Sequence, residues 1–264
     1  MNRLIVPLVV LGLALWVGGA AAGPQFNWLQ LDSFRVKWGD PQGGTGTAVT
    51  YAFVAGAVHS AEARNCRDMQ PLDGLLARSG IPAAVLEREA EAAFAMWQAS
   101  ADIRFSRIDD PAAAQILIGA QTQPRGVAFA DVSYEPTGPG DVRAIRRSLV
   151  CLNPDMPWKV GFGGDISVYD LRYALAHEIG HAIGLDHPGP SGQLMSFRYD
   201  EQFRELQPGD IAGAVTLYGP IARTAATPPV LPAAAAADLI APQADALCGS
   251  ESRRTALTPR DSAC

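Results

Sequence analysis

The stretch Leu175–Ser196, LAHEIGHAIGLDHPGPSGQLMS, contains three of the chain's four histidines, His177, His181 and His187. A helix turns about 100° per residue, so His177 and His181, four apart, share one face and can aim nitrogens at one ion. Two imidazoles do not hold zinc. Gly184 follows, where a residue without Cβ can leave the helix at positive φ, and the reversed chain can return His187 to the same ion. Three imidazoles with a fourth position open form the ligand set of a catalytic zinc rather than a closed structural one. Glu178 then neighbours the open position, where a metal-held water, acidified from a pKa of about 15.7 towards about 7, can lose its proton to a carboxylate. A bare H-E-x-x-H arises by chance often. With the third histidine and the glycine fixed, a chance match falls to on the order of one in a hundred thousand chains of this size.

The rest of the chain sets the frame. With 264 residues, 48% of them hydrophobic, it can bury a core in one domain with appendages. Residues 1–22, MNRLIVPLVVLGLALWVGGAAA, combine Arg3, an apolar run and small residues with Ala20 and Ala22 placed for an A-x-A cut; they read as a signal peptide cleaved after Ala22. Cleavage removes one basic residue and no acid, so the formal charge of −6 becomes one unit more negative, which argues against a nucleic-acid partner. No second apolar run of about twenty residues follows, so no membrane association is expected after cleavage. The expected location is secreted, periplasmic or extracellular, and the expected state monomeric. Cys66, Cys151, Cys248 and Cys264 form an even set in an exported chain and read as disulfides. Three pairings are open; Cys66 with Cys151 and Cys248 with Cys264 is preferred, because the first two lie in the folded part and the last two share the tail.

Residues 23–45, with Gly, Pro and scattered aromatics, read as an extended leader. AVTYAFVAG reads as a strand, and His59 to Gly80 as a loop or partly helical insertion. In IPAAVLEREAEAAFAMWQAS, Pro82 takes the first helical position and Leu86, Ala90, Ala93, Phe94 and Trp97 recur at steps of three and four, the pattern of a long amphipathic helix. ADIRFSRI, AQILIGAQ, GVAFADVSY and RRSLVCLNP follow as four short strands, then a helix over about 170–184 and another near 208–217. The order predicts an α+β domain over 46–220, a twisted mixed β-sheet packed with long helices. Residues 221–264 shift to Ala and Pro and read as a solvated tail, with surface attachment as the alternative.

HEIGHAIGLDH meets in full the signature H-E-x-x-H-x-x-G-x-x-H of the metzincin zinc endopeptidases, and the chain resembles their matrixin branch over roughly 38–219. Met195, eight residues after His187, sits where matrixins carry the methionine of the Met-turn that follows the active-site helix. LQPGDIAGAVTLYG looks like their closing helix. KWGDPQGGTGTAVTYAF, the Trp97 helix and GVAFADV follow the matrixin order. Pro188 is a serralysin trait, but Phe197 lacks the hydroxyl of the serralysin tyrosine, and no Gly-Gly-x-Gly-x-Asp array is present. The resemblance implies an exported metalloendopeptidase with one catalytic zinc on His177, His181 and His187. Glu178 would be general base and then acid, and protein or peptide substrates would lie along an edge strand at Val127, Ala128, Phe129 and Ala130. Tyr199 would line the pocket beside the zinc, with Phe197 in place of the usual proline. The family's second zinc does not transfer, since only His59 remains. Calcium is left open: TGPGD (Gly138, Gly140, Asp141) precedes a strand at the corresponding place, while GFGGD follows it. The P-R-C-G-x-P-D latency motif is absent. A zinc-containing module that only binds proteins is the alternative reading, disfavoured because Glu178 is retained.

Overall fold

The computed structural model describes residues 25–221. The segment read as a signal peptide and the tail, with Cys248 and Cys264, lie outside the described residues. Along the chain come β1 (Asn27–Trp28), β2 (Gln30–Leu31), β3 (Phe34–Lys37), β4 (Thr47–Phe53), β5 (Val58–His59), β6 (Asp68–Gln70), α1 (Asp73–Ser79) and α2 (Ala83–Gln98). There follow β7 (Ile103–Arg107), β8 (Ile116–Gln121), β9 (Ala128–Tyr134), β10 (Val142–Leu152), β11 (Trp158–Lys159), β12 (Tyr169–Asp170), α3 (Leu171–Ala182), β13 (Leu185–Asp186) and α4 (Pro208–Tyr218).

The main sheet runs β2-β3-β10-β8-β4-β7, parallel from β3 through to β7, while β9 adds antiparallel to β10. β9 pairs with no strand on its other side among the described residues, so it is an edge. Every residue of β8 (ILIGAQ) is buried, as a central strand covered on both faces must be. Ile116, Ile118, Val150 and Leu152 face the helices, and Leu117, Leu149 and Cys151 join Val54, Cys66 and Met69 on the opposite face. The period of two in strands sorts these residues. On the helix side Tyr51 stacks on Phe94 at 4.0 Å, and the Trp97 indole donates to Ala176 O of α3 at 2.9 Å. Phe94 and Trp97 are buried as the helical spacing predicts; truncating either to alanine would cost about 3–5 kcal/mol. Pro82 stands one position earlier than expected, at the N-cap.

The leader assignment needs correction. Within residues 25–45, Val36, Lys37 and Trp38 are buried and β3 pairs with β10, so this part of the segment belongs to the domain. β1 pairs with β13, and Leu29 N donates to Gly184 O at 2.8 Å. These partners lie some 150 residues away, so no local pattern exposes them. The insertion 59–80 holds β6, which adds to β8, and α1, closed by Gly80 in the left-handed region at φ 65°. β10 begins earlier than expected, at Val142.

Candidate active site

α3 carries the first two histidines. Asp170 caps it, its Oδ1 accepting from Tyr173 N at 2.9 Å. At the other end, carbonyls left free by helix geometry are taken by buried side chains. The Trp38 indole and the Ser148 hydroxyl donate to Ala182 O at 2.9 and 3.0 Å, and the Tyr218 hydroxyl donates to Ile183 O. The chain then turns at Gly184 with φ 105°; a Cβ there would meet Val36 O at 2.2 Å. Glycine is required for both reasons. β13 follows at once, held by β1, and Asn27 Nδ2 donates to His187 O at 2.9 Å.

The three imidazoles converge. His177 Nε2 and His181 Nε2 lie 3.0 and 3.1 Å from His187 Nε2. His177 Nδ1 and His181 Nδ1 each stand 2.8 Å from a carbonyl oxygen, of Leu194 and Leu185. A carbonyl can only accept, so both Nδ1 atoms carry the proton and both Nε2 lone pairs face the common centre. Burial, followed by the neighbouring imidazoles, lowers His177 to about 3 and His181 to about 4. Burial also lowers His187. Neutral imidazoles with free lone pairs suit a borderline-soft divalent ion, so the donor set fits zinc. Among the described residues this is the sole group of three or more His, Cys, Asp or Glu side chains able to hold a metal. His59 stands apart, bonded to Asp68 at 2.6 Å.

Glu178 is buried, and burial, then the charge of Asp131, raises its carboxyl to about 8. It lines a cleft of about 410 Å³ together with the three histidines. Val127, Ala128, Phe129 and Ala130 form one wall of that cleft, so the expected edge segment borders it, although Val127 precedes β9 itself. Phe197 lines it too, 58% exposed and with its ring 6.2 Å from that of His187. Tyr199 is also in the lining, but its hydroxyl turns away, accepting from Asp170 N at 2.7 Å and donating to Glu201. Glu201 in turn takes Lys159 Nζ at 2.6 Å and Gly163 N.

Met195 is buried directly beneath the histidine helix: a Cβ added at Gly180 would lie 2.2 Å from its Sδ. The turn that carries it hangs on Asp210, whose carboxylate accepts from Leu194 N and Met195 N at 3.1 Å each and from Gln207 N at 2.8 Å. Sequence reading missed Asp210 and also Leu29, which lines the cleft. The signal for Asp210 was its third position in a helix opening with Pro208; Leu29 had none.

A family model described as Matrixin matches residues 76–219. The chain belongs to the matrixin family. Curated relatives include matrilysin of Mus musculus, 26% identical over 151 residues, covering 53% of this chain and 54% of that protein. Karilysin of Tannerella forsythia is 27% identical over 142 residues, covering 50% and 28%, and Metalloendoproteinase 1-MMP of Arabidopsis thaliana 28% identical over 138 residues, covering 48% and 36%. The match thus spans about half, or less, of the length of these matrixin relatives. The matrixin match takes in α2, β9, α3 and the Met195 turn; β1 to β4 lie before it. Cys66 and Cys151 are disulfide-bonded across a separation of 85 residues, joining a loop before the matched region to β10 within it.

Proposed function

We propose that the chain is an exported zinc-dependent endopeptidase that hydrolyses peptide bonds in proteins. The observation that carries this is the convergence of three neutral imidazoles beside the buried Glu178, in a cleft bordered by an unpaired strand edge. His177, His181 and His187 would hold the zinc, which when bound supplies a Lewis acid and an acidified water. Glu178 would accept a proton from the attacking water as the C–O bond forms, then deliver one to the amine as the C–N bond breaks. Its dry setting keeps the carboxyl ready to carry a proton near neutral pH. The free edge of β9 would pair with an extended substrate backbone and present the scissile bond to the histidines. Phe197 and Tyr199 would contact side chains flanking that bond. The Cys66–Cys151 bond supports an oxidising compartment.

Two variants test the roles. Glu178→Ala should keep about one zinc per chain by elemental analysis and lose about a hundredfold to ten-thousandfold in casein hydrolysis. His181→Ala should lose metal and activity together, because two imidazoles hold zinc poorly. Wild-type rates in Glu178→Ala at equal zinc content would sink the mechanism, and a wild type that cleaves nothing would leave the protein-binding module as the reading.

A further inference from the structure

Three loops of this chain mix Gly with Asp and fold their carbonyl oxygens inwards, and each closes on a cation the chain itself supplies. In the loop between β9 and β10, Arg143 Nη1 faces three carbonyls, of Pro139, Gly140 and Val142, at 3.3, 2.8 and 3.2 Å. Its guanidinium lies over the Phe34 ring at 3.8 Å, and the residue is buried. In the loop after β3, Lys37 Nζ meets the carbonyls of Trp38 at 3.0 Å, Asp40, and Thr45 at 3.4 Å, with Thr45 Oγ1 at 3.1 Å. In the loop after β11, Lys159 Nζ takes Gly163 O at 2.8 Å and Asp165 O at 2.9 Å beside the Glu201 carboxylate. Lys37 and Lys159 are the only lysines in the sequence.

The carboxylates of these loops are engaged as well. Asp141 pairs with Arg35 at 2.8 Å, Asp40 Oδ1 accepts from Gln42 N at 2.8 Å, and Asp165 Oδ1 accepts from Ser167 N and Oγ at 2.8 and 2.7 Å. Calcium needs about six to eight oxygens at roughly 2.3–2.6 Å. Here the loop carbonyls that could supply them already surround a positive charge, and a second cation at that spot would meet strong repulsion in a partly dry site. TGPGD, the loop with the composition of a calcium site, therefore does not fit the ion.

We propose that Lys37, Arg143 and Lys159 serve as built-in cations for the three Gly/Asp loops, so that the fold of this chain is held without structural calcium. The Arg143 loop joins the end of β9 away from the cleft to β10, whereas Lys159 connects to the cleft lining through Glu201 and Tyr199. This inference does not depend on the hydrolytic reading.

The test uses the purified full chain, freed of calcium on a chelating resin and checked by elemental analysis to retain zinc. Calcium chloride is then added to about 10 mM, roughly ten times the dissociation constant of weak extracellular calcium sites. The melting temperature is expected to move by less than about 1 °C. Even a weak site would raise it by about 3 °C or more, and that result overturns the proposal. Arg143→Met keeps an apolar stem on Phe34 and removes the charge; it should melt about 5 °C lower with or without calcium, while Arg143→Lys recovers part of the loss. An Arg143→Met protein that melts with wild type also overturns it. Should Arg143→Met fail to fold, the wild-type titration still decides.

Discussion

Gly180, between the two helical histidines, shows how much one missing methyl carries. Alanine is the better helix former by about 1 kcal/mol. Its Cβ, however, would stand 2.2 Å from Met195 Sδ and 2.8 Å from Trp97 Cζ2. The Met195 thioether can bend, but the Trp97 ring is tied to Ala176 O and cannot retreat. Overpacking of this kind costs about 1–3 kcal/mol, so Gly180→Ala should lower stability by about 1–2 kcal/mol despite its helix propensity. Urea unfolding checks it, and a midpoint above wild type would refute the packing argument. The histidine cluster was legible in the sequence, because His177, His181, Gly184 and His187 fall within a dozen residues on and just after one helix. Asp210 was less so: its carboxylate serves both its own helix and the Met195 turn, and only the first role is local.

At the scale of elements, a chain of polar contacts runs from the cleft-lining Tyr199 into the loops behind it. Lys159 ends β11, Glu201 lies beyond the Met195 turn, and Tyr199 links Glu201 to Asp170, the N-cap of α3. Burial works to raise Glu201, but bonds from Lys159, Tyr199 and Gly163 N outweigh it and hold the carboxyl below its usual 4.5. A depressed carboxylate contributes stability that is fully present above pH 4.5 and is lost as pH falls through the lower folded value. Glu201→Gln should therefore be less stable than wild type near neutrality by about 1–3 kcal/mol, with the gap closing below about pH 4.5. A gap that persists unchanged in acid would show that the charge is not responsible. Tyr199, released from its anchor, should raise KM for peptides more than it lowers kcat. The elements followed the sequence wherever a short period carried the signal. The period of α2 buried Leu86, Ala90, Ala93, Phe94 and Trp97, and the wholly apolar run ILIGA became the central strand. β1 to β3 were read as a leader because strands of two to four residues have no period to detect.

For the whole molecule, the bond between Cys66 and Cys151 fastens the face of the sheet away from the helices. It closes 85 residues, for which chain-entropy loss from the unfolded state amounts to about 4–5 kcal/mol. Cys151 also pairs with Phe129 across β9 and β10, so the bond steadies the strand bordering the cleft. Reductant should lower the unfolding free energy read from denaturant titration by an amount near that value; an unchanged midpoint would mean that the sheet needs no covalent help. The pairing of Cys66 with Cys151 was legible because both fall in the folded part, whereas calcium was left open at TGPGD because carbonyl direction is invisible in a string of residues. The contact between Asn27 and His187 spans 160 positions. A ribosome adding about 5–20 residues per second delivers those two ends roughly ten to thirty seconds apart. The strand that steadies the third imidazole thus waits, unpartnered, through most of the domain's synthesis, and closing so long a loop is among the slow steps of folding. The convergence of the three histidines is accordingly a late event, and a nascent chain passes through most of its birth with that cluster still in pieces.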